Sequence, residues 1–383
     1  MPVPRHVGFN ALFLDPAASG GVDTYLRGLV PALVRAYPWL EVTIFTTRRG
    51  AAALRADGWG DFARLVRFPF DEGQRERRLA AEQVGIVGAA LRHRVDLLHS
   101  LASTGPVWPV VPSVVTVHDV TFFHMRTFGR VTTAGMRAVV SGAARSADAL
   151  IAGSAAARDE NVAQLRIPAD RFVVVPHGAG RLPTTDPTPA AELRVRLGLD
   201  GRRLALCVGA VRPHKNQGLL VDALPLLPDD VAVVLVGTHE AGAAELPERA
   251  ARLGVADRLH MPGYLPDADV EGLWREAGCA VLPTRAEGFG LPVLEAMQRG
   301  VPVACSDIPV LHEVGAGAAT YFAPDDPAAA AAAIVRALGD EAAAARGRER
   351  AAAFSWEASA HGTFAAYERA LSSDEGSRDS RPR

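Results

Sequence analysis

Residues 280–300 read AVLPTRAEGFGLPVLEAMQRG, an apolar run followed by a glycine-rich turn and an amphipathic segment. The apolar run, Ala280–Pro283, is typical of a strand buried on both faces of a parallel sheet. Glu287–Leu291 forms the turn, and we expect the helix to open at Pro292, because proline is favoured in the first helical turn. The stretch therefore predicts one strand–turn–helix unit of a doubly wound α/β sheet.

The same alternation of strand and helix runs along nearly the whole chain. Seven strand candidates lie between residues 6 and 176 and six between residues 203 and 322, with amphipathic segments between them. The turn-rich segment His177–Pro189 interrupts the alternation and is predicted to be a linker. The sequence therefore predicts two Rossmann-like domains joined by a hinge, followed by a polar, disordered tail over residues 372–383.

The composition excludes several classes of protein. With 49% hydrophobic and 22% charged residues, the 383-residue chain is neither disordered nor collagen-like. It has no uninterrupted apolar run of about 18 residues, so a transmembrane helix is not expected, and MPVPRHVGFN has no apolar signal core. We therefore predict a cytoplasmic protein. Cys207, Cys279 and Cys305 are predicted to be buried and reduced.

Charge is distributed unevenly. Residues 1–185 have a net charge of +6 and residues 186–383 one of −8, which suggests two domains with different partners. The aromatic residues are not interleaved with the basic ones, so nucleic acid is not an expected partner. One apolar helix centre is flanked by arginines, which leaves two interpretations open: peripheral contact with an anionic membrane at its inner face, or an ordinary solvated helix face. These arginines are Arg75, Arg77, Arg78, Arg92 and Arg94.

Two loops in the first half hold candidate site residues, because ligands bind beyond the carboxyl ends of strands in open α/β sheets. Gly20 and Gly21 precede a helix, where backbone N–H groups and the helix dipole attract an anion; a simple tight turn is the alternative. His118 and Asp119 are predicted to end the strand Ser113–Asp119. The imidazole can hydrogen-bond a sugar hydroxyl or a phosphate, or the two residues form a structural polar pair.

A third loop, GAVRPHKNQ, covers residues 209–217. Gly209 ends a strand, and Arg212 and Lys215 follow before a helix predicted to start near Asn216. Two cations beside a helix N-terminus favour a pyrophosphate over a solvated basic turn. Lys215 is also the only lysine among 41 basic residues, which suggests a need for a compact ammonium group there.

A pair of glutamates marks the fourth loop, which belongs to the stretch 280–300 quoted first. Seven residues separate Glu287 from Glu295, and Glu295 is predicted to lie on the first helical turn. Its carboxylate is expected to reach a ribose diol near the turn, and the backbone N–H groups around Gly290 and Leu291 to bind phosphate or sugar oxygens. The alternative for Glu295 alone is a carboxylate placed favourably at a helix N-terminus.

These motifs resemble a known family. EGFGLPVLEAM is similar to the signature of the retaining glycosyltransferases of family 4, which have the two-domain fold called GT-B. GAVRPHKN resembles the phosphate loop of that family, SGGVDTYL its N-terminal glycine loop, and IAGSAAARDENV the last strand–helix unit of its first domain. The matches occur in family order over about residues 8–300. VHDVTFFH is most similar to the branch that contains bacterial polysaccharide mannosyltransferases.

The resemblance implies an architecture. The expected GT-B fold has two Rossmann-like doubly wound domains that face a central cleft: an acceptor-binding domain over residues 1–183 and a nucleotide-sugar-binding domain over 184–355. A C-terminal helix over residues 356–371 is implied to cross back to the N-terminal domain.

The resemblance also implies a role for each motif residue. Arg212 and Lys215 would hold the donor diphosphate, while Glu287 would contact the transferred sugar and Glu295 the ribose. His118 would face the sugar near the reacting carbon. The other implied donor contacts come from glycine loops, backbone groups and the nucleobase pocket: Gly20, Gly21, Gly209, Gly263, Tyr264, Leu265, Gly288, Phe289, Gly290 and Leu291.

The segment Asp267-Ala268-Asp269 copies a metal-binding pattern of a different glycosyltransferase fold. Because it directly precedes a helix, we expect Asp267 to be an N-cap instead. Arginine, lysine and a helix dipole can neutralise a leaving diphosphate without Mg²⁺. We therefore predict that the reaction needs neither a metal nor another cofactor.

The expected reaction transfers a hexosyl group from a nucleoside-diphosphate sugar, GDP-mannose or a UDP- or dTDP-hexose, to an acceptor hydroxyl with retention. The acceptor would be a sugar, a lipid-linked saccharide or a small molecule, in polysaccharide, glycolipid or natural-product biosynthesis. A sugar-nucleotide epimerase of the same fold and a non-catalytic sugar-binding protein are the alternatives. A pyridoxal-phosphate phosphorylase is disfavoured, because the single lysine already lies in the phosphate loop.

Overall fold

The computed structural model of the chain describes residues 2–15, 20–70, 75–123, 130–180, 186–199, 201–240 and 242–379. The chain forms two compact units. The first contains described residues up to Gly178 and again from Ser355 onward, and the second runs from Ala179 to Phe354. The C-terminal segment therefore belongs to the same unit as the N-terminus.

The first unit is built on a seven-stranded sheet in which every paired strand is parallel. Its strands are β1 (His6–Ala11), β2 (Glu41–Thr46), β3 (Arg64–Arg67), β4 (Leu97–Ser100), β5 (Ser113–Thr116), β6 (Ala149–Ala152) and β7 (Phe172–Val174). Their spatial order is β3-β2-β1-β4-β5-β6-β7. The order reverses between β1 and β4, which makes the sheet doubly wound.

Six helices connect these strands. They are α1 (Gly21–Ala36), α2 (Arg48–Ala56), α3 (Arg75–Ala80), α4 (Ile86–Arg92), α5 (Arg130–Ser146) and α6 (Ala155–Leu165). A single π-helical turn, Ala81–Gly85, joins α3 to α4.

The second unit is built on a six-stranded parallel sheet. Its strands are β8 (Arg203–Val208), β9 (Val231–Val236), β10 (Leu259–Gly263), β11 (Ala277–Leu282), β12 (Val303–Ser306) and β13 (Ala319–Phe322). Their spatial order is β10-β9-β8-β11-β12-β13. All six residues of β9, VAVVLV, are buried, as expected for a strand covered by helices on both faces.

The helices of the second unit are α7 (Ala190–Leu197), α8 (Gly218–Ala223), α9 (Glu245–Arg252), α10 (Asp267–Glu276), α11 (Leu291–Arg299), α12 (Pro309–Gly315), α13 (Pro327–Ala337) and α14 (Glu341–Ala352). Their alternation with the strands confirms the predicted α/β class with two Rossmann-like sheets.

The last helix, α15 (Trp356–Asp379), packs against α1 and against the β5–β7 side of the first sheet. A Cβ atom added at Gly28 of α1 would lie 2.1 Å from the Trp356 ring, and one at Gly178 would lie 2.5 Å from the Trp356 backbone nitrogen. Both positions therefore require glycine. The predicted return of the C-terminal helix to the N-terminal domain is confirmed, and the helix runs beyond Leu371, where the tail was expected to begin.

Among the residues that the structure describes, no helix has both the length and the hydropathy needed to span a bilayer.

Candidate functional site

The motif loops of the second unit lie at the carboxyl edge of its sheet. β8 pairs with β9 on one side and with β11 on the other, so the winding direction changes between β8 and β11. Loops leave opposite faces of the sheet at such a switch point and form a crevice in which ligands bind. The loops that follow β8 and β11 are the two motifs 209–217 and 283–290.

Glycines bring the loops after β8 and β9 into close contact. Gly209 has φ 146° and Gly237 has φ 145°. A Cβ atom added at Gly237 would lie 2.3 Å from the carbonyl oxygen of Gly209. The Gly237 N–H in turn donates to the carbonyl of Gly263 over 2.9 Å. Gly209 and Gly263, which were predicted, and Gly237, which was not, therefore hold three adjacent strand ends together.

Hydrogen bonds fasten the phosphate loop to the loop after β11. The side-chain amide of Asn216 donates to the carbonyls of Pro283 at 3.0 Å and Pro324 at 2.7 Å. The backbone N–H of Arg285 donates to the carbonyl of His214 over 2.8 Å. The helix predicted to start near Asn216 is α8, which begins at Gly218. Asn216 itself has φ 57°, a conformation that asparagine tolerates well.

Lys215 and Glu287 meet between these loops. The ammonium of Lys215 donates to Oε1 of Glu287, and both side chains are largely buried. Seventy-two positions apart in the sequence, the residues are brought together by the switch point of the sheet. The arrangement presents a positioned, partly desolvated ammonium group beside a carboxylate.

Arg212 lies apart from this pair in the described structure. Its guanidinium donates to Glu240 over 2.6 Å, and both side chains are about half exposed. Arg212 and Lys215 are therefore engaged with different carboxylates, not with one shared partner. Glu240 follows β9, a strand end that no motif in the sequence marked.

Helix α11 begins at Leu291, one residue before the predicted start at Pro292. Gly290 precedes it with φ 96°, and a Cβ atom there would lie 2.6 Å from Leu311. Phe289 is buried, and its ring lies edge-on to that of Phe354 with the centroids 5.8 Å apart. The glycine-flanked turn therefore directs the start of α11 toward the carboxyl edge of the sheet.

Glu295 lies in the second turn of α11, not in the first as expected. A Cβ atom added at Gly180 would lie 2.3 Å from its Oε1, so the two residues are in close contact. Burial raises the pKa of Glu295 to about 7, and Arg299, Asp267 and Glu271 act on it electrostatically. Arg299 counters the rise and itself donates to Glu271 over 2.7 Å. The structure thus does not group Glu295 with Lys215 and Glu287.

The predicted nucleobase residues lie at the carboxyl end of β10, the edge strand of the second sheet, which ends at Gly263. Gly263 has φ 80°, Tyr264 is exposed and Leu265 is half-buried. The loop leads into α10, where Pro266 occupies the N-cap position and Asp267 is the first helical residue. The expectation that Asp267 caps the helix is therefore wrong, because the N-cap lies one residue earlier, at Pro266. Asp269 is buried and accepts from Thr188 at 2.5 Å and Arg196 at 2.6 Å.

His118 belongs to the first unit and lies in the loop after β5. The strand ends at Thr116, so the prediction that it extends to Asp119 is wrong. Nε2 of His118 lies 2.7 Å from the carbonyl oxygen of Leu101, which can only accept, so Nε2 carries the proton. Burial lowers the pKa of His118, so the neutral ring leaves Nδ1 as an acceptor. Asp119 accepts from the N–H of Thr121 over 3.0 Å and caps the following turn.

The ring of His118 packs against a cluster of buried aromatic side chains. Its ring meets that of Tyr25 edge-on at 5.1 Å and that of His177 at 5.6 Å. The Tyr25 hydroxyl lies 3.1 Å from the Thr116 hydroxyl. His177, expected in a linker, is instead buried in this group, because the chain passes under the ring of Trp356 before leaving the first unit.

The N-terminal glycine loop is only partly described. Gly20 and Gly21 are both exposed, and Gly21 is the first residue of α1. Gly20 has an extended conformation, with φ −145° and ψ −179°. The two glycines thus lie at the start of a 16-residue helix, as predicted.

The three cysteines are free and buried, as expected. Burial raises the pKa of the Cys207 thiol to about 12. Within the described ranges, no group of three or more His, Cys, Asp and Glu side chains is arranged to hold a metal ion. The predicted independence of metal stays a prediction.

Comparison with known proteins places the chain in a family. Residues 19–179 match the family model described as "Glycosyltransferase Family 4", and residues 190–354 match "Glycosyl transferases group 1". The chain is 32% identical to the O-antigen chain mannosyltransferase B of Escherichia coli over 67% of its own length and 70% of the relative's. The chain belongs to glycosyltransferase family 4. The family predicted from the motifs is thereby confirmed, and so is the enzyme class, a hexosyltransferase.

Further relatives of this family 4 glycosyltransferase differ in their named activity. It is 36% identical to the lipopolysaccharide core biosynthesis mannosyltransferase LpsB of Rhizobium meliloti, over 45% of this chain and 49% of that one. It is 28% identical to the D-inositol 3-phosphate glycosyltransferase of Segniliparus rotundus, over 97% and 90% of the two chains.

Solved structures support the GT-B fold of this glycosyltransferase. The sucrose-phosphate synthase of Thermosynechococcus elongatus superposes with a TM-score of 0.73 at 21% identity, over 96% of this chain and 99% of that one. The lipopolysaccharide glycosyltransferase WaaG superposes with a TM-score of 0.70 at 18% identity, over 94% and 98%. At these identities the likeness shows the fold.

Three residues of the site were missed by motif reasoning. Asn216 and Glu240 position the phosphate loop and Arg212, and Tyr25 supports His118. Asn216 directly follows the lysine, and its tolerance of positive φ is a signal that the sequence contained. Glu240 had no such signal, because its contact with Arg212 depends on the pairing of β8 with β9.

Proposed function

We propose that this glycosyltransferase transfers a hexosyl group from a nucleoside-diphosphate sugar to an acceptor hydroxyl with retention of configuration. The contact between Lys215 and Glu287 at the switch point of the second sheet carries the proposal. It supplies a cation for a leaving diphosphate and a carboxylate for sugar hydroxyls from two motifs that are distant in sequence. Family membership supports the same chemistry.

Lys215 is proposed to neutralise the diphosphate as it leaves. Its ammonium is already positioned and partly removed from water, so little reorganisation accompanies the reaction. Arg212 is proposed to bind the diphosphate as well, after its guanidinium leaves Glu240 and binds a phosphate oxygen instead. Because that ion pair is exposed, breaking it costs about 1 kcal/mol or less.

The remaining donor contacts follow the motif assignments. Glu287 is proposed to hold hydroxyls of the transferred sugar, Glu295 the ribose, and Tyr264 with its neighbours the base. Backbone groups of 288–291, at the N-terminus of the nine-residue helix α11, are proposed to face anionic or sugar oxygens. His118 is proposed to accept a hydrogen bond from a sugar hydroxyl through Nδ1, because Nε2 already donates to Leu101.

Retention is proposed to proceed by attack from the leaving-group side, with a diphosphate oxygen as the base. Lysine, arginine and the helix dipole would balance the diphosphate charge, so the reaction is proposed to need no metal.

Two relatives named as mannosyltransferases favour a mannosyl donor, GDP-mannose first and a UDP- or dTDP-hexose second. Their names, which concern O-antigen and lipopolysaccharide core, favour a saccharide acceptor in polysaccharide or lipopolysaccharide biosynthesis. Three free cysteines support a cytoplasmic location.

The test pairs donor binding with turnover. A panel of nucleotide sugars is screened by thermal shift, because a ligand bound only by the native state raises its stability. With the donor so found, Lys215→Ala and Glu287→Ala are each expected to lower kcat about 100-fold, which corresponds to roughly 3 kcal/mol of transition-state stabilisation. Product configuration is read by NMR, and the reaction is repeated in the presence of EDTA.

Arg285→Ala is the matched control. This variant removes a positive charge from the same loop, but the guanidinium of Arg285 binds Asp325 at 2.7 Å and does not contact Glu287. It is expected to keep turnover within about twofold of the wild type. Near wild-type rates for both Lys215→Ala and Glu287→Ala, an inverted product, or loss of activity that only Mg²⁺ restores would each contradict the corresponding part of the proposal.

A further inference from the structure

An apolar stripe faces outward on the segment formed by α3, the π-helical turn and α4. Val84 is 75% exposed and Leu91 is 55% exposed, and Ala80 and Gly88 are exposed in the same stripe. These residues recur every three or four positions, so they share one helix face. The opposite face is occupied by the buried residues Glu82, Ile86 and Ala90. The segment therefore buries one face against the sheet and presents apolar side chains on the opposite, exposed face.

A proline-rich loop extends this stripe. The side chain of Gln83 donates to the carbonyl of Gly105 and accepts from the N–H of Val107, both over 2.9 Å. The hydroxyl of Ser146, at the end of α5, donates a hydrogen bond to the carbonyl of Val107. The loop so fastened presents Trp108, which is 82% exposed, and Val110, which is 47% exposed. We call Val84, Leu91, Trp108 and Val110 the apolar face of the first unit.

Arginines border the apolar face. Arg77 lies one turn before the stripe, and Arg92 and Arg94 lie at its end, all with exposed side chains. Glu76 is the exposed acidic neighbour on α3, and Asp96 accepts from the backbone N–H groups of Arg5 and His6 at 2.8 and 2.9 Å. The border is thus positive, in agreement with the net charge of +6 over residues 1–185.

We propose that the first unit docks on an anionic lipid bilayer through this apolar face. A large exposed tryptophan among aliphatic side chains suits the membrane interface, where one side of the ring is apolar and the other hydrated. Arginines around it suit anionic headgroups. A second copy of the chain is a poorer occupant, because a two-fold contact would bring the same arginines against each other. This proposal goes beyond the transfer reaction and does not depend on the donor.

The test measures flotation of the full chain with lipid vesicles. We expect it to float with phosphatidylcholine vesicles that contain about 30% phosphatidylglycerol, and much less with pure phosphatidylcholine. Binding should weaken in about 0.5 M salt, because screening reduces the attraction between arginine and headgroup. The double variant Val84→Ser/Trp108→Ser should bind at least about tenfold more weakly, since it removes the apolar contribution.

Charge is tested separately. Arg77→Gln/Arg92→Gln should bind about 25-fold more weakly, from about fivefold for each arginine near an anionic surface. Matched controls come from the second unit: Val195→Ser, at a side chain 87% exposed, and Arg336→Gln/Arg346→Gln, at two exposed arginines. The controls should float like the wild type, and all variants should keep its thermal midpoint.

Three outcomes would overturn the proposal: no flotation of the wild type with anionic vesicles, equal loss in the controls, or self-association without lipid that Val84→Ser/Trp108→Ser abolishes. The last would assign the face to a second copy of the chain. Lys215→Ala should float normally, so failure of the transfer proposal is distinguishable from failure of this one.

Discussion

At the scale of single residues, the two basic side chains of the phosphate loop have different environments. Lys215 is largely buried against Glu287, whereas Arg212 is half exposed against Glu240. An ammonium is a compact point charge, which suits a confined position beside one carboxylate. The larger guanidinium of Arg212 occupies a more exposed position. The two basic side chains of the loop therefore differ in how far they are removed from water.

Glu295 is expected to make stability depend on pH. Burial raises its pKa from 4.5 to about 7, so the folded state prefers the protonated acid. The contribution of this group to stability is complete below about pH 4.5 and is lost as the pH rises through about 7. Above that pH, Glu295→Gln is expected to be more stable than the wild type, by at most about 3 kcal/mol.

Urea unfolding at about pH 5 and about pH 8 measures this effect, since the Glu295→Gln variant should lose less stability between the two than the wild type does. Glu349→Gln, at an exposed glutamate of α14, is the control and should follow the wild type. An identical pH dependence in Glu295→Gln and wild type would show that the carboxyl of Glu295 does not titrate abnormally.

At the scale of elements, the contact of α1 with α15 depends on a glycine in a helix interior. Gly28 is placed where a side chain would enter the Trp356 ring. Gly28→Ala is therefore expected to destabilise the first unit by about 2 kcal/mol or more, because a packed helix pair cannot absorb the added methyl group. Thermal unfolding measures the loss.

Gly135 of α5 provides the opposite case. It is exposed, and nothing lies within 4 Å of an added Cβ atom. Gly135→Ala is expected to stabilise the protein by about 0.5–1 kcal/mol, because alanine loses less conformational entropy in a helix. Equal effects of the two substitutions would argue against the described packing of α1 on α15.

The segment 75–94, which the sequence predicts as one helix, is divided by its π-helical turn. Glu82 in this turn is buried, and its carboxyl interacts with Asn10 and Thr104, while Gln83 holds the loop at 105–107. Burial raises the pKa of Glu82. The π-helical turn inserts an extra residue between α3 and α4 and so changes the register of one helix relative to the other, which no periodicity rule predicts.

At the scale of the whole molecule, the chain completes its first unit with its last helix. Tyr367 of α15 is buried, and its hydroxyl lies 2.8 Å from Nδ1 of His99 in β4. Tyr367→Ala is expected to cost about 3–5 kcal/mol, as for other buried aromatic residues. Hydrogen exchange should then accelerate in β4 and β5 and stay unchanged in β8 and β9.

Phe322→Ala, in β13 of the second unit, should accelerate hydrogen exchange in β8 and β9 and leave it unchanged in β4 and β5. Tyr367→Phe, which removes only the hydroxyl, should cost about 1 kcal/mol. Faster exchange in both units after Tyr367→Ala alone would contradict the assignment of α15 to the first unit.

The architecture and the positions of the motif residues follow from local patterns in the amino-acid sequence. Short apolar runs rich in β-branched residues, such as VAVVLV in β9, favour strands of a covered parallel sheet. The glycines at 209 and 290 adopt backbone conformations that other residues adopt only at a cost. These are local properties, so they are visible in a single chain without its fold.

Which of those residues come into contact depends on the packing of distant segments in the fold. The winding of the second sheet brings Lys215 to Glu287 and Arg212 to Glu240, and the packing of the second unit places Glu295 against Gly180. In the first unit, the fold ends β5 before His118 and places Nε2 of His118 against the carbonyl of Leu101, which fixes the ring nitrogen that carries the proton. Side-chain pairing and burial depend on how distant segments pack, and spacing along the chain does not encode them.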